Sequence, residues 1–422
     1  MSVRKEIETL KKAGVISNQI AVDIIQYYQQ DSKKSGNSLM TVLAIFGGSL
    51  VGLGIILILA HNWDNLSRMV RTIIAFVPLV VAQSLSVYTL LKKQDSQPWR
   101  EGISTFLFFS VGACMSLVSQ IYNIPGDVTT FLAVWLLLCL PIVYIMKSSI
   151  VSMLYIVGVT YYGCETIYWS SYQVAKLHWF WIGFIGILPY YYHLIKSNSV
   201  GYFTRLHHWV LAIVLIVLLA TIAKQNDSVM FVGYTSLFGF FFLLGGTVLF
   251  DKTRAYKFVG SLGTIIMALI MSYNDVWEHL TTFYRGQILS QEFIVSYGIT
   301  LLALAIFLYQ IKIKGIRGVE PIQIFFLVFA TMFMFEELKP IGALMVNLFL
   351  IGAGGYQIVK GIRQDDLRVL NYGILIILVL ILCRFFDDSL TFVLKGTLFM
   401  LTGVGCIVLN YRLLKKRQTD EA

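Results

Sequence analysis

The chain has 422 residues, of which 57% are hydrophobic and 13% charged, with a net charge of +10 and a mean hydropathy of +0.74. Soluble domains average about half apolar and about a quarter charged residues, so this composition excludes a water-soluble fold and predicts an integral membrane protein. The longest stretch outside the apolar runs, residues 1–37, is below the size that folds alone.

Residues 1–37 read as a cytoplasmic helical hairpin. Its first helix carries Ile7 and Leu10 and closes at Gly14, which tolerates a left-handed cap. Ser17 caps the second helix, with Ile20, Ala21, Ile24, Ile25 and Tyr28 on one face. A hairpin with an apolar stripe and no core docks on the ends of the bundle or offers a handle to a protein partner. No apolar segment lies within it, so the first span is expected to act as an uncleaved signal-anchor.

Apolar runs then follow at 39–60, 69–91, 103–122, 128–146, 149–169, 178–195, 206–223, 229–250, 257–274, 293–312, 321–335, 339–358, 368–384 and 391–411. A helix needs about 20 residues to cross about 30 Å of hydrocarbon. The expected fold is an all-α polytopic bundle of about fourteen transmembrane helices over 38–411, followed by a basic tail, 412–422. The eleventh run is the shortest and is the candidate for a re-entrant segment.

Basic residues alternate between the gaps. The odd gaps, counting from the N-terminal tail, hold 25 Lys and Arg and the even gaps hold 7. Cytoplasmic loops keep their basic residues because translocating them is costly, which places both termini in the cytoplasm. The positive excess is therefore topological and faces anionic inner-leaflet lipid rather than nucleic acid. Trp63, Trp169, Trp179, Trp181 and Trp277 fall at the opposite boundary, as interfacial belts do. The connection at about 275–292 is expected to lie along that surface as an amphipathic segment.

All five cysteines lie in apolar runs without metal spacing. Gly48 and Gly52 in the first run, and Gly352, Gly354 and Gly355 in the twelfth, suit close helix packing, with a hinge or broken transport helix as the alternative. No zinc-protease, nucleophile-elbow or phosphate-loop motif is present. No cofactor or metal is implied, and His207-His208 reads as a pair at the cytoplasmic boundary. An intramembrane enzyme is the third-ranked reading.

The informative polar residues gather at the outer boundary: Asn62 and Trp63; Arg68; Gln120, Tyr122 and Asp127; Glu165; Arg384 and Asp387; and Lys395. Ionisable groups in lipid are costly and normally face the bundle interior and pair. Arg384 is spaced to reach Asp387 or Asp388, and Glu165 and Lys395 carry opposite charges at similar expected depth. One reading is helix-end ion pairs; the other is a vestibule that receives a substrate headgroup.

Several of these residues sit in motifs: Lys11-Lys-Ala-Gly14-Val-Ile-Ser17, Ala60-His61-Asn62-Trp63, and Ser119-Gln120-Ile-Tyr122-Asn-Ile-Pro-Gly-Asp127. Farther on stand Asn371-Tyr-Gly373, Arg384-Phe-Phe-Asp387 and Lys395-Gly-Thr-Leu-Phe399. In these stretches, over about 1–150 and 340–417, the chain resembles the bacterial membrane-protein family catalogued as domain of unknown function 2157. The resemblance implies a helical membrane fold and marks polar positions for testing. It carries no activity, and His61 occupies a variable position of its motif.

The leading functional expectation is a multi-pass inner-membrane transporter or flippase for a small or lipid-linked substrate. Arg384, Arg68 and Lys395 would attract an anionic group, Glu165, Asp387 and Asp127 would set the field, and Asn62, Trp63, Gln120 and Tyr122 would line the mouth. The alternative is a non-transporting partner that assembles or regulates an envelope complex.

Overall fold

A computed structural model describes residues 66–169, 179–223, 227–248, 250, 254–280 and 290–386, together with residues 7, 11, 13, 17–24, 393, 396, 397, 400 and 403–405. The chain divides into a smaller unit, Met1–Val77 with Gln120–Asn123, and a larger one, Pro78–Ser119 with Ile124–Ala422. Among the described residues there is no strand. The continuous helices are α1 (Arg68–Lys92), α2 (Gln97–Tyr122), α3 (Val128–Met146), α4 (Ser149–Cys164), α5 (Trp179–Ser197), α6 (Tyr202–Ala220), α7 (Asp227–Leu244), α8 (Ala255–Met271), α9 (Asn274–His279), α10 (Gln291–Lys314), α11 (Phe325–Met334), α12 (Gly342–Gln364) and α13 (Leu367–Phe385). Eight described helical segments are long and apolar enough to cross a membrane. The first expected span, most of the fourteenth and most of the N-terminal hairpin lie outside the described residues. Of the hairpin, Ser17 does cap residues 18–24, its Oγ accepting from Ile20 N at 3.3 Å.

Polar residues between the apolar runs set the helix ends. Asp127 caps α3, Ser148 caps α4 and Asp366 caps α13, each accepting a backbone N–H of the first turn. Two reversals need only two residues each. Lys147-Ser148 joins α3 to α4, and Asp365-Asp366 joins α12 to α13. Such tight turns require a left-handed residue after the first helix, and Lys147 and Asp365 adopt it at φ 49° and 51°.

Packing in the larger unit centres on two apolar clusters. One joins α3, α4, α5 and α6 through Val151, Ile156, Ile187 and Leu218. The other joins α6 to α13 through Phe241, Met271, Phe325 and Phe329. Glycine permits close backbone approach between α12 and α13: a Cβ on Gly373 would lie 2.7 Å from both Gly354 O and Ile358 N. Gly354 thus packs as expected, whereas Gly352 and Gly355 face open space.

The eleventh expected span is not a continuous helix. A 3-10 turn, Pro321–Gln323, leads into α11, and a second 3-10 turn, Glu336–Ile341, follows it. The ten α-helical residues rise about 15 Å, half of a hydrocarbon core. Phe325, Phe326, Phe329, Ala330, Met332 and Phe333 are all buried, so most of α11 packs against protein, with Thr331 and Met334 exposed.

Trp277 also departs from expectation. The sequence places it on a surface-lying connector; in the structure it is 4% exposed and donates from Nε1 to Met271 O at 2.7 Å. Its ring sits 5.6 Å from that of Phe329. The start of α12 accommodates it only because residue 342 is glycine: a Cβ there would fall 2.4 Å from the indole.

Candidate functional site

In the smaller unit, the first turns of α1 meet the last turn of α2. The Arg68 guanidinium lies 5.6 Å from the Tyr122 ring centroid, and the Tyr122 hydroxyl hydrogen-bonds the Thr72 hydroxyl at 3.1 Å. Two of the expected vestibule residues, Arg68 and Tyr122, are thus brought together. Gln120 is exposed, and Asn62 and Trp63 lie outside the described residues.

In the larger unit, Asp127 borders a recess of about 550 Å³ lined by Met115, Ser119, Pro125, Thr130 and Phe131. Its carboxylate accepts from Thr130 N at 2.7 Å and from Thr129 Oγ1 at 2.8 Å. A carboxylate so engaged stabilises the N-terminus of α3 electrostatically as well as by hydrogen bonding. The capping role accounts for aspartate at this position without a substrate.

Glu165 stands where α4 gives way to a five-residue π-helix, Glu165–Trp169. Its backbone N–H is shared between Tyr161 O and Tyr162 O. Such widened turns are uncommon and recur at functional positions. Lys395, the partner expected for Glu165, lies outside the described residues, as does Asp387.

Arg384, at the end of α13, is half-buried. Its Nη2 donates to Ser272 Oγ at 2.9 Å, and its guanidinium lies 4.2 Å from the Tyr273 ring centroid. The Tyr273 hydroxyl in turn donates to Cys383 O at 3.0 Å. Asn347 ties the same corner together, donating to Ser272 O at 2.9 Å and Ala343 O at 2.7 Å. Arg384 therefore sits over an aromatic face at the junction of α8, α12 and α13, a planar cation suited to carboxylate or phosphate.

Sequence reading missed a second constellation, at the opposite end of these helices. Glu320, just before the eleventh apolar run, is 9% exposed. It accepts from Lys360 Nζ at 2.9 Å and Gln357 Nε2 at 3.3 Å, with Lys257 Nζ at 3.6 Å. Its own N–H donates to Gln323 Oε1 at 3.0 Å. Gln323 continues to Gln310, and Gln310 to Leu243 O. The network pins the entry to the broken segment. Burial alone would raise the Glu320 pKa, but the Lys360 hydrogen bond, the two ammonium charges and Gln357 outweigh it and hold the carboxyl below its ordinary value.

The histidine pair is not at an exposed interface. His207 and His208 are 0% and 1% exposed. His207 bonds Ser152 Oγ at 3.0 Å and Phe203 O at 2.8 Å. His208 pairs with the Tyr191 hydroxyl, which also meets that of Tyr256 at 2.8 Å. Both imidazoles have protein partners, as buried polar groups require.

Residues 8–152 match the family model described as Predicted membrane protein (DUF2157), less than half of the chain. The matched stretch contains the Arg68–Tyr122 contact and the Asp127 cap; α5 to α13 lie beyond it. No curated protein and no solved structure matches the chain.

Proposed function

We propose that this membrane protein is a transporter or flippase of the bacterial inner membrane, acting on a small or lipid-linked anionic substrate. The observation that carries the reading is the interrupted segment from Pro321 to Ile341, with its short α11 buried over most of its surface. Irregular backbone at membrane depth is tolerated only inside protein or along a cavity, and interrupted helices of this kind line transport paths. In this reading the basic loops are cytoplasmic and the Arg384 end opens outward. Arg384, with Arg68 and Lys395, attracts the anionic group; Glu165, Asp387 and Asp127 shape the field; Asn62, Trp63, Gln120 and Tyr122 line the mouth.

The test is complementation in cells lacking the protein, with Arg384→Gln and Glu165→Gln tested singly for growth and for accumulated lipid-linked or small anionic metabolites. At least one variant that folds and reaches the membrane is expected to reproduce the accumulation of the deletion. Full complementation by both would sink the vestibule. The second reading, a non-transporting partner of an envelope complex, draws on Ile20 and Val22, which are 49% and 57% exposed on the Ser17-capped helix. Deleting residues 1–34 separates the two: loss of a co-purifying protein with metabolite levels unchanged favours docking.

A further inference from the structure

We propose that a recess at the basic-loop end of the larger unit binds a phosphate group. It has a volume of about 550 Å³ and lies where four helix ends converge: the start of α2, the α3–α4 turn, the end of α5 and the start of α6. Arg100, Lys147 and His193 line it from three of those ends, and Tyr202 to Thr204 from the fourth. It is separate from the Arg384 corner and from the Glu320 network.

Three observations point to an anion. The first concerns the basic side chains themselves. Arg100 Nε is buried without a hydrogen-bond partner, and the exposed side chains of Lys147 and His193 have no ion pair or hydrogen bond among the described residues. A buried donor left unpaired is costly, so its presence calls for an acceptor. The second is the start of α6, a 19-residue helix whose N-cap, Gly201, has no side chain to accept its first N–H groups. Those orphan donors and the helix dipole favour a multi-oxygen anion.

The third observation disposes of the one acid present. Glu101 also borders the recess, but its carboxylate accepts from Ser148 Oγ at 2.5 Å, Ser149 N at 3.0 Å and Ile150 N at 2.9 Å. It is committed to the N-terminus of α4. The charge left unmatched is positive. Lys147 adds a further hint, because its left-handed backbone at φ 49° would suit glycine or asparagine better. Lysine contributes a charge that neither of them would.

A phosphate has enough oxygens to accept from a guanidinium, an ammonium and backbone N–H groups at once. It can come from an anionic phospholipid headgroup or from solution. The recess is larger than a bare phosphate, and the exposed Tyr202 stands at its rim.

The experiment is calorimetric titration of the purified full-length protein in neutral detergent with dihexanoyl-phosphatidylglycerol and, separately, with inorganic phosphate. Arg100→Gln and Lys147→Gln are compared with Lys312→Gln, which removes an exposed basic charge outside the recess. Each recess variant is expected to weaken binding about tenfold, the loss of one charge-assisted hydrogen bond, with Lys312→Gln unchanged. That pattern with the lipid alone identifies the headgroup as the source; with inorganic phosphate it identifies a soluble one. Lys147 is exposed, so its variant keeps the test open should Arg100→Gln fail to fold. Binding of neither probe, equal binding by wild type and recess variants, or equal weakening by all three substitutions overturns the proposal.

Discussion

Glu320 is a buried carboxylate held by two lysines and a glutamine, and its ionisation is coupled to folding. Its folded pKa is lowered, so it adds stability that is present above its unfolded value and is lost as pH falls through the folded one. Lys360→Met removes its nearest charge and is expected to cost about 1–3 kcal/mol at neutral pH. The same change should move the acid loss of stability to higher pH, read from melting midpoints of the purified protein across a pH series. A Lys360→Met protein with an unchanged midpoint and acid profile would remove the network from the account. Asp127 allows a cleaner separation of roles. Asp127→Asn should preserve the α3 cap, while Asp127→Ala should cost about 0.5–2 kcal/mol. If the asparagine variant folds normally yet fails to complement, the charge itself is needed; full complementation leaves Asp127 as a cap. Arg384 was visible in the sequence because a cation inside an apolar run is costly and therefore informative. Its partner Ser272 was not, since it stands 112 residues away and only the fold joins them. Nothing local singled out Glu320 for the same reason: Lys360 is 40 residues distant.

At the scale of elements, most helices were legible because an apolar run bounded by charged or capping residues has few alternatives in a bilayer. The caps at Asp127 and Ser148 and the two-residue turns before α4 and α13 follow from local chemistry. The interruption around α11 was harder to read. Phe325–Met334 is apolar but for Thr331; the shortness of the run marked it as a re-entrant candidate, and Pro321 and Pro340 bracket it. Trp277 was misread because boundary tryptophans usually mark an interface, and nothing local announced that Gly342 leaves room for the indole. Gly342→Val should force the Trp277 ring out of its site and lower the melting temperature, by about 1–3 kcal/mol in stability terms. The expected sign in fluorescence is a red-shifted tryptophan emission against the wild type. Unchanged emission and melting would mean that the indole does not depend on this glycine.

Within the larger unit, the Arg384 corner and the Glu320 network occupy opposite ends of α8 and α12. The alternation of basic and non-basic gaps agrees with that arrangement only if the Pro321–Ile341 segment traverses the bilayer. The most direct measurement is thiol labelling of Ile316→Cys and Glu337→Cys, placed before and after α11, in a background with the native cysteines replaced. A membrane-impermeant maleimide is applied to intact and then to permeabilised cells. The account predicts labelling of Glu337→Cys in intact cells and of Ile316→Cys only after permeabilisation. Labelling of both only after permeabilisation, or of both in intact cells, would make the segment re-entrant and contradict it.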